Sequence, residues 1–268
     1  MPARPDARNA FLSALTGRER AFFASYLTPR DLCLGECLYR VGDKNEDIIF
    51  PHSGLVAITL HSAEGTGAAV MLVGVDGIIG GVAMATSRSA MSDATVYIAG
   101  EASQMSVASF RDILDQSPSI RGIAAKFDCA MLAQAQQTAH CNAVHSVEAR
   151  LCRWLLEIQD RCNGSKIPLT QSILAQMVGA RRTTVTVTAG RLETAGLIDT
   201  RRGYVQITNR EELERRSCEC YRQVRTFVAQ LFAIMPLSPQ NERSAKVASS
   251  ADEAHLPEKR AGSFSAAS

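Results

Sequence analysis

No stretch of this sequence approaches the roughly 18 uncharged apolar residues that a membrane-spanning helix needs. Its opening, MPARPDARNAFLSALTGRERAFF, lacks the continuous apolar centre of a secretory signal. Both absences lead us to expect a cytoplasmic protein with no membrane partner. The eight cysteines, at 33, 37, 129, 141, 152, 162, 218 and 220, form no compact framework and read as reduced thiols. Catalytic patterns are also missing. GVDGIIGG is glycine-rich, but it opens no helix and lacks the GxGxxG order, and no Ser-His-Asp or paired-carboxylate spacing stands out. We therefore expect no enzyme, with a small-ligand-binding enzyme subunit as the remote alternative. No repeat of 20–50 residues is visible, which excludes solenoids and propellers. A large net charge is absent too, since the chain carries only +2. That small number conceals an uneven distribution: residues 146–225 hold 14 Lys and Arg against 9 Asp and Glu, and the remainder is slightly acidic. A local basic surplus fits one domain that faces nucleic acid.

The chain does have enough apolar content, 46% of 268 residues, to bury a core in two domains with length to spare. Residues 1–19 read as an N-terminal extension with a capping box from Thr16 to Glu19. Residues 20–110 read as one domain, in which residues 32–107 lose helical periodicity and break into short β-rich runs such as DIIFPHSGLVAITL and DATVYIAGEASQMSV, as in a small antiparallel, jelly-roll-like β-roll. Helical periodicity returns over 111–145, where Ile120, Ile123, Phe127, Met131, Gln134, Thr138 and Cys141 recur every three or four residues. One long helix is the economical reading. Its stripe decays from Ile and Phe to Gln and Thr, so we assign Ile120, Ile123, Phe127, Met131, Gln134 and Thr138 to a homodimer seam, with packing on the roll as the alternative. Residues 146–213 read as a compact helical domain capped by Ser146, and residues 214–235 as a C-terminal helix. The Ser-, Ala- and Pro-rich stretch 236–268 reads as a disordered tail. The fold class is thus α+β.

In LTQSILAQMVGARRTTVTVTAGRLETAGLI, the run TTVTVT alternates β-branched residues and looks like a strand. Its continuation has no strand pattern, whereas a helix places Val185, Ala189 and Leu192 on one stripe. Thr170 can cap a preceding helix that Gly179 stops. Ala175, Gly179 and Val185 then suit two helices crossing over a tight turn: Ala permits close approach, Gly takes the left-handed turn and Val anchors the second helix. Arg182, Thr183, Thr186 and Gly190 face away as a short, flat surface that can enter a groove. Two arginines at a helix N-terminus oppose the macrodipole by roughly 0.3–1 kcal/mol each, a local cost that phosphate or base edges would offset. LIDTRRGYVQIT then reads as a β-hairpin with Arg201 and Arg202 at its tip, a wing.

These segments, together with HSVEARLCRWLLEIQDR and LYRVGDKNEDIIFPHSGLVAITL, resemble the CRP/FNR family of bacterial transcription regulators over residues 20–220. The resemblance implies a cyclic-nucleotide-binding-like roll, a long dimer helix and a C-terminal winged helix-turn-helix. It also implies double-stranded DNA, a second copy of the chain and RNA polymerase as partners. The expected DNA-facing set is Thr170, Gln171, Arg181, Arg182, Thr183, Thr186, Val187, Arg191, Arg201 and Arg202. Arg182 matches the family's base-reading arginine, while Thr183 stands where a glutamate is usual and Val187 where a second arginine is. These departures set aside the family's best-known operators.

In the family's nucleotide pocket, a glycine-led segment cradles the phosphate with help from a Glu and an Arg. Here Gly81 follows Gly80 in the place of the Glu, and Ser92 stands in the place of the Arg, leaving Arg88 as the nearest substitute. An unpaired phosphate would be desolvated at a cost, so cyclic AMP is not expected to be the signal. Cys33 and Cys37 read as small hydrophobes in a strand-like run. Cys141 with His145, and Cys218 with Cys220, each lack further ligands nearby in sequence, so neither metal nor cofactor is expected. A thiol-, redox- or metal-responsive regulator of the same fold is the standing alternative.

Overall fold

The structure is a computed structural model that describes residues 9–63, 67–81, 89–162 and 166–233. Helices α1 (Ala10–Ala14) and α2 (Gly17–Ala24) come first. Thr16 and Glu19 close the expected capping box. Of the residues read as an N-terminal extension, 1–8 lie outside the described residues, and Asn9, Phe11, Leu12 and Leu15 are part of the core. Phe11 is fully buried among Phe23, Phe50, Phe110 and Phe127, with ring centroids 5.4–6.1 Å away. Asn9, also buried, donates from Nδ2 to the carbonyls of Pro51 and Gly77 while its Oδ1 accepts from the first turn of α1. The sequence pattern missed this because five-residue helices are too short to show a period.

Seven strands build the roll: β1 (Thr28–Leu32), β2 (Cys37–Tyr39), β3 (Asp47–Pro51), β4 (Leu55–His61), β5 (Gly67–Val73), β6 (Asp93–Ile98) and β7 (Gly100–Ser106). They form two antiparallel sheets, β1-β7-β3 and β2-β6-β4-β5. Leu32, Ile49 and Ala102 from the first sheet meet Val56, Ile58, Ala94 and Val96 from the second in one apolar cluster. Gly54 must be glycine: its φ is +82°, and a Cβ there would stand 2.6 Å from the Ile98 carbonyl oxygen. Cys33 is exposed, in a turn through Gly35 at φ +79°, and Cys37 is half-buried; the expected pair of strand hydrophobes is not formed.

The expected single helix over 111–145 is two. Helix α3 (Val107–Gln116) ends at Ser117, and α4 (Pro118–Val144) begins at once, with Ser117 Oγ accepting from Ile120 N. The residue before proline is driven from helical to extended backbone, which is where Ser117 sits (ψ 97°).

Helix α5 (Val147–Arg161), β8 (Lys166–Ile167), α6 (Gln171–Val178), α7 (Arg182–Thr194), β9 (Ile198–Arg201), β10 (Tyr204–Ile207) and α8 (Arg210–Arg216) follow, then α9 (Cys220–Ala233). The expected helix from 214 is therefore split at Ser217–Cys218. The sheet β8-β10-β9 adds a strand to the predicted wing. Leu151, Trp154, Leu174, Met177, Val185 and Leu192 share one buried cluster with Leu55, Ala69, Leu72 and Tyr97 of the roll. Helix α6 lies on β5, so the two halves have a common core. Beside it Arg153 is 1% exposed, stacks over Trp154 and pairs with Glu157 at 3.3 Å, while Arg161 reaches Asp76 of the roll at 3.0 Å.

The stripe assigned to dimerisation faces the chain's own roll. Phe127 belongs to the ring cluster and Met131 packs on the roll's apolar core. Ile120 is buried and Ile123 half-buried. Gln134 Oε1 accepts from Leu72 N at 2.7 Å, and Thr138 Oγ1 accepts from Arg153 at 2.8 Å. The polar decay read as a seam is instead internal hydrogen bonding.

Candidate nucleic-acid interface

Residues 171–194 form the expected pair of helices. Thr170 Oγ1 accepts from Ile173 N to start α6. Gly179 ends it in the left-handed conformation (φ 64°, ψ 42°), and Ala180 N returns to the Ala175 carbonyl. Val185, Ala189 and Leu192 are buried, so the β-branched run is a helix held by its apolar stripe. Arg181, Arg182, Thr183, Thr186, Val187, Gly190 and Arg191 are all exposed on the opposite side.

The start of α7 differs from seven other helix starts. Asn9, Thr16, Ser106, Ser117, Ser146, Thr170 and Asn209 each cap a helix with a side-chain oxygen, whereas α7 begins at Arg181 with no side-chain cap. Its first N–H groups and two exposed guanidinium groups are left available to an anion. Gln171 is held differently from what the sequence suggests. The Thr186 hydroxyl lies 2.6 Å from Gln171 Oε1 and 2.9 Å from the Arg182 carbonyl, so its single proton is committed within the protein.

At the wing, β9 and β10 pair from Tyr204↔Arg201 to Ile207↔Ile198, and Gly203 turns at φ +87°. Arg201 bonds back to Asp199 at 3.1 Å, while Arg202 stands exposed at the tip. The two arginines are thus unequal.

In the roll, Gly80 (φ +91°) packs against Asn45 and the Asp47 carbonyl. At Gly81 an added Cβ would lie 2.6 Å from the Asp128 carboxylate of α4. A carboxylate therefore overlooks the segment that would cradle a phosphate. Ser92 hydrogen-bonds to Tyr39, whose hydroxyl burial pushes up to about 12. Arg88 lies outside the described residues. A separate cavity of about 420 Å³ lies between the roll, α4 and α9, lined by Leu72, Phe127, Met131, Glu157, Arg161 and Tyr221 among others.

The cysteine pairs read as separate are brought together. Cys141 and His145 end α4, Cys218 and Cys220 begin α9, and all four donor atoms lie within 4.8 Å of one another. Their spacing of more than 70 residues hid this from any local pattern. His61 pairs with Asp93 at 3.4 Å and His52 Nε2 with Ser103 Oγ at 2.7 Å, so both have partners that sequence spacing did not reveal.

A two-helix unit with a basic, exposed second helix and a three-stranded wing, carried on an antiparallel β-roll, is a winged helix-turn-helix architecture joined to a β-roll. Residues 149–216 match the family of Crp-like helix-turn-helix domains, and roughly seven tenths of the chain shares the fold of solved CRP/FNR-type regulators. FixK2 from Bradyrhizobium japonicum aligns with a TM-score of 0.64 at 15% identity, over 72% of this chain and 98% of that one. A CRP/FNR-family transcriptional regulator from Thermus thermophilus gives 0.60 at 20% identity, over 71% and 98%. CLP, a c-di-GMP-responsive global regulator from Xanthomonas campestris, gives 0.57 at 18%, over 69% and 95%. No curated protein sequence matches the chain. No helix among the described residues is long and apolar enough to cross a membrane.

Proposed function

We propose that the chain is a sequence-specific DNA-binding transcription regulator, not an enzyme, that works as a homodimer on a two-fold operator. The observation that carries this reading is the exposed face of α7, with Arg181, Arg182 and Thr183 at an N-terminus without a side-chain cap and Thr186, Val187 and Arg191 farther along it. A helix presenting small residues and arginines at its first turns fits the major groove, where Arg182 pairs with guanine O6 and N7 and threonine methyls pack on thymine. Arg202 contacts phosphate from the wing, and Thr170 and Gln171 flank the groove at the start of α6. RNA polymerase is the further protein partner of such a regulator.

Two half-sites require two copies. With the apolar stripe of α4 turned inward, the second copy meets its outer face. Gly122, Ala125, Cys129, Leu132, Gln136, Ala139 and Ala143 are all exposed and alternate at three and four residues, the a/d spacing of a coiled-coil seam. Small residues there allow close helix approach. Cyclic AMP is not the signal in this reading, because Gly81 and Ser92 supply no partner for its ribose or phosphate and Asp128 adds a carboxylate beside the segment.

Selection of binding sites from random DNA at fixed salt tests the reading. Wild type is expected to recover a two-fold motif. Arg182→Ala is expected to lose about 1–3 kcal/mol on that motif and its preference at one position per half-site. Recovery of the same motif with equal information by both proteins would reduce Arg182 to a phosphate contact.

A further inference from the structure

We propose that Cys141, His145, Cys218 and Cys220 form a closed tetrahedral site for one zinc ion that clamps the two ends of the winged-helix domain together. Cys141 Sγ lies 3.5 Å from Cys218 Sγ, and Cys220 Sγ lies 3.5 Å from His145 Nδ1. A tetrahedron built with Zn–S of about 2.3 Å and Zn–N of about 2.0–2.1 Å has ligand edges of roughly 3.5–3.8 Å. Two of the six donor–donor edges thus already stand at zinc-site spacing and the rest lie within 4.8 Å, while the two facing sulfurs are far from the roughly 2.05 Å of a disulfide. Four donors within 4.8 Å leave room for a single ion, not for a cage of irons. Three thiols and one imidazole are a donor set suited to zinc.

The surroundings support the same assignment. His145 Nε2 donates to Glu219 Oε1 at 3.2 Å, which fixes the tautomer and leaves the Nδ1 lone pair aimed at the sulfurs. Gln137 Nε2 donates to Cys220 Sγ at 3.0 Å, a bond that favours the thiolate. All three cysteines are buried, and Ala149 is the hydrophobic residue packed against them. Binding releases the thiol protons to water and leaves three thiolates and a neutral imidazole on the ion. Since Cys141 and His145 precede the DNA-binding domain and Cys218 and Cys220 follow it, one ion closes a chain loop around the whole domain. A second set, His140, His145 and Glu219, is more exposed and has only oxygen and nitrogen donors; it would compete for the same imidazole.

The test uses full-length protein purified without oxygen or chelator. Elemental mass spectrometry should find one zinc per chain. After removal of the metal under reducing conditions, added cobalt(II) should give the visible bands of a tetrahedral ion and a thiolate-to-cobalt charge-transfer band, a readout on wild type that needs no variant. Cys141→Ser and Cys218→Ser should each abolish the charge-transfer signature of a three-sulfur site, and Glu219→Gln should weaken zinc about 10–100-fold. Cys33→Ser and Cys37→Ser should change nothing. A wild type that takes up neither zinc nor cobalt, or that carries a Cys141–Cys218 disulfide as isolated, overturns the site. Site selection on the same samples keeps the two proposals apart: a metal-free wild type that still selects its operator sinks the zinc site alone. A one-zinc protein that selects no operator supports the site and sinks the DNA reading.

Discussion

Arg201 and Arg202 look interchangeable as a dipeptide, and the fold separates them. Arg201 spends its guanidinium on Asp199, whereas Arg202 projects from the Gly203 turn. Arg202→Ala should therefore lower the slope of log affinity against log salt by about one unit per half-site and weaken all sequences alike. Arg201→Ala should change it less, which titrations at several salt concentrations will show; equal slopes for both variants would mean that Asp199 releases Arg201 to the DNA. The opposite case is the cysteines. Cys141, His145, Cys218 and Cys220 carry no local signal because their relation exists only after α4 and α9 are packed. Two spacings of four and two residues look accidental until the chain returns.

At the scale of elements, periodicity revealed which faces are apolar but not what covers them. The stripe Ile120–Phe127–Gln134 was readable, while its burial against Leu72 and Phe11 was not, since either a roll or a second copy satisfies the same pattern. The outer stripe of Gly122, Ala125, Cys129 and Leu132 has little hydropathy and so no sequence signature. The two faces make opposite predictions. Leu132→Glu should leave a folded monomer in sedimentation. Phe127→Glu should destabilise the chain itself, because a charge would enter a fully packed ring cluster. A Leu132→Glu protein that remains dimeric would place the interface elsewhere. The α6–α7 pair was the most readable element, because Thr170, Gly179 and Val185 each have a steric or capping reason that is independent of the rest of the fold.

For the whole molecule, the notable fact is the core shared by roll and winged helix, with Leu55, Ala69 and Leu72 packed among Trp154, Leu174 and Met177. Sequence composition divides the chain into two domains, and nothing in either half announces that their apolar faces meet. The single tryptophan, Trp154, sits in that core and reports on it directly. Tryptophan fluorescence and far-ultraviolet circular dichroism should give one coincident unfolding midpoint. A fluorescence midpoint well below that of the β signal would show the halves melting independently.

Seating α6 on β5 also has a dimensional result. Successive major-groove faces of B-DNA recur about 34–36 Å apart. A reading head without slack cannot follow half-sites that are moved closer or farther, as one on a loose tether could. In the dimer we propose, the gap between the two α7 axes becomes a property of the protein, like the jaws of a caliper locked at one opening. An operator for that proposed dimer would then have to be cut to fit the gauge.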